Sequence, residues 1–149
     1  MNVEQLVTAI GALDASDALQ CKLTLQEWKS LAPYLSMRFL KAGDPLMHEG
    51  ECERELFILA DGGLEVTVAG NIVATLGPGS VVGEGAFFSG APRSATVMPT
   101  QPGVAWGLSW EKFEAMSQKH PKLSVDLVKG LASVMAIRMR AALLVGHFV

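Results

Sequence analysis

The sequence predicts a mainly β, α+β domain in which an antiparallel β-core sits between helices at the two ends of the chain. Three observations carry that prediction. Apolar residues near the N-terminus recur at helical steps. Residues 39–110 break into short apolar runs punctuated by Gly43, Gly50, Gly62, Gly63, Gly70, Gly77, Gly79 and Gly90. Helical spacing then returns after Leu108.

At 149 residues the chain is long enough to bury a core without disulfide or metal staples. Half of it is apolar and 18% is charged, below the roughly one quarter typical of soluble proteins. Extensive burial or an apolar contact surface follows, and disorder does not. The net charge is -3, and the 12 Lys and Arg are scattered rather than gathered into a basic stripe. Direct contact with nucleic acid is therefore not expected.

The element order can be justified along the chain. Val3, Leu6, Val7, Ile10 and Leu13 define one face of a first helix. Thr24 and Glu27 form a capping-box pattern ahead of Leu25, Trp28, Leu31, Ala32 and Leu35, and Pro33 predicts a bend or an early end. In the middle region, Leu56-Phe57-Ile58-Leu59 and residues 64–68 flank Asp61-Gly62-Gly63, which reads as a hairpin. Residues 72–76 and 95–98 read as further strands. So many short strands in so few residues predict a sandwich or barrel.

Ser109 is the expected N-cap of a helix carrying Trp110, Phe113 and Met116, and Pro121 the first residue of a longer one. In that last helix Leu123, Leu127, Leu131 and Val134 form one apolar row. Val125, Val128, Ala132, Met135, Met139 and Ala142 form a second, heptad-like row. One row can pack on the β-core while the other meets a second copy of the chain, giving a homodimer. The alternative is one wide stripe that faces the core.

Cys21 and Cys52 stand alone, which fits two reduced thiols in a reducing compartment better than a disulfide. The start of the chain lacks a secretory pattern, and no uncharged stretch reaches the length of a membrane span. A cytoplasmic location without membrane insertion is expected. His48, His120 and His147 are too dispersed for a zinc motif and read as surface or capping residues. No nucleophile elbow, P-loop or dinucleotide fingerprint is present, so no enzyme activity is expected.

The chemistry is concentrated in Gly83-Glu84-Gly85-Ala86-Phe87-Phe88-Ser89-Gly90-Ala91-Pro92-Arg93-Ser94-Ala95-Thr96-Val97. Gly83 and Gly85 permit close backbone approach, and a short helical turn starting there aims N–H groups at an anion. Arg93 can close on that anion with two donors, while Glu84 can accept a hydroxyl. The plain alternative is an internal Glu84–Arg93 ion pair.

GEGAFFSGAPRSATV resembles the phosphate-binding cassette of the cyclic nucleotide-binding domain family of bacterial transcription regulators, cyclic-nucleotide-dependent kinases and gated channels. The resemblance spans residues 25–143. It implies an antiparallel eight-stranded β-roll, or jelly roll, closed by a C-terminal helix that serves as lid and dimer element. One domain over 1–149 would then hold N-terminal helices to 36, the roll over 37–110 with its cassette at 83–97, and C-terminal helices over 111–145.

By the same likeness Glu84 accepts the ribose 2′-hydroxyl and Arg93 pairs with the cyclic phosphate. The amides near Gly83, Gly85 and Ala86, with Ser94 and Ala95, complete the contacts. Arg138 falls where a lid residue caps the base, the alternative being a solvated helix charge. Cyclic AMP is expected ahead of cyclic GMP, with no separate cofactor.

Val82 stands where the family commonly has an aromatic, Gly85 where it has an aliphatic residue, and Phe87-Phe88 where it has smaller ones. These departures bear on affinity more than on fold. The family's transcription regulators continue into a helix-turn-helix. The chain stops at Val149, so the output is expected in an effector protein or a larger parent chain, not in direct DNA binding.

Overall fold

In the computed structural model, residues 2–12, 19 and 23–144 are described. Leu13, Cys21, Val145 and His147, which figure in the expectations above, lie outside them.

Helix α1, Val3–Ala12, buries Leu6 completely and rests Val3, Val7 and Ile10 on the same apolar cluster. Helix α2, Leu25–Leu31, starts at the expected capping box. The Glu27 amide donates to Thr24 Oγ1 at 3.1 Å, and the Thr24 amide donates to Glu27 Oε1 at 3.2 Å. Such a cap is worth about 1 kcal/mol. Trp28, Leu31 and Leu35 are buried, whereas Leu25, in the first turn, is 47% exposed. Pro33 turns the end of the helix into a 3-10 turn, Ala32–Tyr34.

Among the described residues seven strands follow: β1 (Ser36–Leu40), β2 (Glu55–Asp61), β3 (Leu64–Val68), β4 (Asn71–Leu76), β5 (Val81–Val82), β6 (Thr96–Pro99) and β7 (Gly103–Ser109). They form two antiparallel sheets, ordered β1-β7-β2-β5 and β4-β3-β6. The resemblance implied eight strands. Between β1 and β2, Met47 makes an isolated bridge to Val97. Pro45, two residues earlier, has no N–H to offer a ladder.

The expected hairpin around Asp61-Gly62-Gly63 is not one. Both edges of β2 are occupied, by β7 and β5, so β3 crosses to the other sheet and pairs with β4 and β6. Gly62 makes the corner at φ 102°, where a Cβ would stand 3.2 Å from both Gly103 Cα and the Pro102 carbonyl oxygen. The tight hairpin lies instead between β3 and β4. Val68 pairs with Asn71 across Ala69 and Gly70, at φ 51° and 81°. A two-residue turn with both φ positive matches the twist of paired strands, and Glu49 Oε1 holds it by accepting the Ala69 amide at 3.0 Å.

Strand β2 explains why the middle of the sequence reads as a continuous apolar run. Leu56, Ile58 and Ala60 join the cluster under α1, α2 and the C-terminal helices. Phe57 and Leu59 point the other way, into a second cluster with Leu64 and Val97 of the opposing sheet. Both faces of the strand are therefore covered.

The C-terminal helices begin where expected. Ser109 Oγ accepts the Lys112 amide at 3.2 Å to start α4, Trp110–Lys119, and Pro121 opens α5, Pro121–Leu144. His120 is the C-cap of α4, and His48 is a surface residue 4.0 Å from Glu51. Leu123, Leu127, Leu131 and Val134 are buried. The second row is divided: Val125 and Met139 are 52% and 49% exposed, whereas Val128 packs against the core cluster and Ala142 lines a cavity. No helix among the described residues is long and apolar enough to cross a membrane.

Candidate functional site

Strand β5 delivers the chain into a short helix, α3, Glu84–Ser89, bounded by Gly83 at φ 82° and Gly90 at φ 72°. Gly83 is required twice over. Its backbone is left-handed, and a Cβ there would lie 2.6 Å from Arg93 Nη1 and 2.9 Å from the Glu55 carbonyl oxygen. At Gly85 a Cβ would meet nothing within 4 Å, so that glycine answers no steric demand. The first turn of α3 leaves amides without intrahelical acceptors, as every helix start does.

A cavity of about 530 Å³ opens beside this turn, within the usual range for small-molecule sites. Val66, Val73, Ala74 and Leu76 of the β4–β3 sheet form an apolar wall, and Ala141 and Ala142 of α5 stand among the residues that close it. Every residue singled out from the sequence, namely Gly83, Glu84, Gly85, Ala86, Arg93, Ser94, Ala95 and Arg138, lines this one cavity.

Arg93 is only 3% exposed. Its Nη2 donates to the Glu55 carbonyl at 2.7 Å and its Nη1 to the Gly83 carbonyl at 3.2 Å, while Nε is buried without a partner. The backbone is pinned as well, by Arg93 N to Glu51 O at 2.7 Å and Gly50 N to Arg93 O at 2.8 Å. Burial pushes the guanidinium pKa below the ordinary arginine value, against the opposing pull of Glu53, Glu55, Glu51 and Glu84. An arginine in such a setting stays charged, and a buried cation with an unused donor favours an anion.

Glu84 does not pair with Arg93. Its Oε1 accepts from Arg138 Nη1 at 2.6 Å, and Arg138 Nη2 donates to the Val81 carbonyl at 2.8 Å. The two side chains are 13% and 26% exposed. Arg138 is not the solvated helix charge that was one of its two expected roles: two of its donors are committed to the cassette.

Arg54 was not legible as part of the site. Its Nε and Nη2 donate to the Phe87 and Phe88 carbonyls, both at 3.0 Å, and so cap the end of α3. Its guanidinium also lies 3.8 Å from the Trp110 ring centroid. Phe87, fully buried, meets Trp110 and Phe113 edge-on at 5.2 and 5.6 Å. The phenylalanines that depart from the family pattern thus fill the space between cassette and α4. The only signal was a lone arginine between acidic residues, which names no partner. Among the described residues no group of three His, Cys, Asp or Glu gathers to hold a metal, and Cys52 is an exposed thiol.

A β-roll with a glycine-bounded helical turn, a buried arginine and a covering helix defines a nucleotide-binding regulatory fold. Residues 37–120 match the family described as the cyclic nucleotide-binding domain, and the chain belongs to that family. It is 33% identical over 113 residues to a cGMP-dependent protein kinase of Plasmodium berghei, an alignment covering 75% of this chain and 13% of the kinase. The chain therefore corresponds to a small part of that longer relative.

Among solved structures, a cyclic nucleotide-binding domain from Methylobacillus flagellatus superposes with a TM-score of 0.82 at 21% identity, covering 94% of this chain and 79% of the other. The catabolite activator protein of Thermus thermophilus does so at 0.74 and 25%, covering 85% and 60%. The first likeness is one of fold.

Proposed function

We propose that the chain is a cyclic-nucleotide sensor module that works by binding and not by catalysis. The observation that carries this reading is the single cavity in which a buried arginine, a carboxylate and the first turn of a glycine-bounded helix converge under α5. Arg93 and the amides of Glu84, Gly85 and Ala86 take the cyclic phosphate. Glu84 accepts the ribose 2′-hydroxyl, with Ser94 and Ala95 at the sugar edge. The base lies against the apolar wall beneath α5.

Cyclic AMP is the ligand we place first and cyclic GMP second. The kinase relative's name ties it to cyclic GMP, so both belong in the test. Output runs through α5. Nucleotide changes the position or order of that helix, and its exposed residues Val125 and Met139 pass the change to a second copy or to an effector protein, in the cytoplasm. Binding does this only through different affinity for two helix positions.

The test is calorimetric titration of cyclic AMP and cyclic GMP into nucleotide-free wild type and into Arg93→Ala, with folding checked by circular dichroism. Loss of a charge-assisted contact should cost at least about 1.5 to 3 kcal/mol. Unchanged hydrogen-exchange protection of residues 121–143 on adding nucleotide would sink the signalling half of the proposal.

A second reading, a ligand-independent scaffold with a degenerate pocket, is favoured by one observation. Glu84 and Arg93 already have protein partners. It predicts no affinity of folded wild type for either nucleotide.

A further inference from the structure

The Glu84–Arg138 pair goes beyond the ribose contact just proposed, on which this inference rests. Carboxylate and guanidinium sit 54 positions apart, on α3 and α5, and both line the cavity. Arg138 is held by a second bond to the Val81 carbonyl, on the strand that leads into the cassette. Two bonds to two elements fix the plane of the guanidinium, and a planar fork fixes the carboxylate that meets it.

Oε1 of Glu84 is thereby occupied, which leaves Oε2 without a hydrogen-bond partner among the described residues. A bare carboxylate beside an anion site would also repel a phosphate held there by Arg93. A cation 2.6 Å away offsets that charge without occupying the second oxygen.

We propose that Arg138 is a specificity-determining positioning residue, one that orients Glu84 for the ribose 2′-hydroxyl and bolts the covering helix to the carboxylate that reads the sugar. Discrimination between ribose and deoxyribose then depends on a residue of α5 that need not touch the sugar. It follows that hydroxyl recognition and the position of α5 are one event: the carboxylate is correctly set only while the helix is in place.

The experiment compares cyclic AMP with its 2′-deoxy analogue on wild type, Arg138→Met, Arg138→Lys and Glu84→Gln by calorimetry. A site built around a hydroxyl rejects the analogue lacking it, here by roughly tenfold or more in wild type. In Arg138→Met, which keeps the stem and removes the charge, the ratio falls to within about threefold, as it does in Glu84→Gln; Arg138→Lys recovers part of it.

If Arg138→Met weakens both nucleotides equally and keeps the wild-type ratio, Arg138 is a general contact and the proposal is overturned while the sensor reading stands. Failure of the lysine variant to recover any of a lost ratio also counts against positioning by charge. A wild type that binds neither nucleotide overturns the sensor reading and this inference with it.

Discussion

Arg138 on α5 and Glu84 on α3 meet at 2.6 Å, joining the covering helix to the cassette beside the cavity that both residues line. Because both side chains are largely buried, the pair is less screened than a surface ion pair. A double-mutant cycle of Glu84→Gln and Arg138→Met, read by urea unfolding without nucleotide, should show a coupling of about 0.5 to 3 kcal/mol. Additive effects would mean that the contact contributes nothing to holding α5 down.

Gly83→Ala should be among the most damaging single changes. It places a Cβ against Arg93 and the Glu55 carbonyl at a left-handed residue, where the backbone alone costs about 1 to 2 kcal/mol. Thermal unfolding should show a loss beyond that figure. An alanine variant of wild-type stability would show that the cassette can shift to accommodate it.

Arg54→Met tests how the cassette is tied to the C-terminal helices. Methionine keeps the stem but removes both donors to the Phe87 and Phe88 carbonyls and the cation over Trp110. A loss of about 1.5 to 3 kcal/mol is expected, with a change in Trp110 fluorescence. Stability within experimental error of wild type would show that water replaces both bonds without cost.

Ala69→Asn should stabilise. Alanine at φ 51° sits where asparagine is far more at ease, and Asn-Gly is the preferred pair for this turn. A gain of about 0.5 to 1 kcal/mol is expected in urea unfolding. A loss would mean that the asparagine side chain disturbs the Glu49 bond to the turn.

The exposed Val125 and Met139 of α5 predict self-association. Val125→Lys with Met139→Lys places two charges on residues that are about half exposed, so the fold should survive. If α5 mediates a dimer, sedimentation will show wild type as a dimer and the variant as a monomer. Identical sedimentation would remove α5 as the dimer surface.

Much of this was legible in the residues because it is local. The Thr24–Glu27 capping box, Pro33, Ser109 and Pro121 act within one helical turn, so their spacing alone announces where helices start and stop. The cassette is likewise a contiguous run in which two glycines, a carboxylate and an arginine have set separations, and its seven chosen residues together with Arg138 of α5 do line one cavity. The hairpin at Asp61-Gly62-Gly63 was misread for the opposite reason. A turn signal says that the chain reverses, but whether the next strand stays in the sheet depends on whether the edge is already taken, here by β5 and β7.

The sequence by itself therefore determined the capped helices and the cassette residues, which rest on short-range geometry, and the family through the resemblance that the cassette carries. Only the tertiary structure decided that Arg138 grips Glu84 and Val81, that Arg54 seals the end of α3, and that Ala69 takes a left-handed turn. An arginine's long side chain suits many acceptors, and nothing near it in sequence says which one folding will bring within reach. That choice follows from strand pairing and helix docking, which are set by the burial of the whole core.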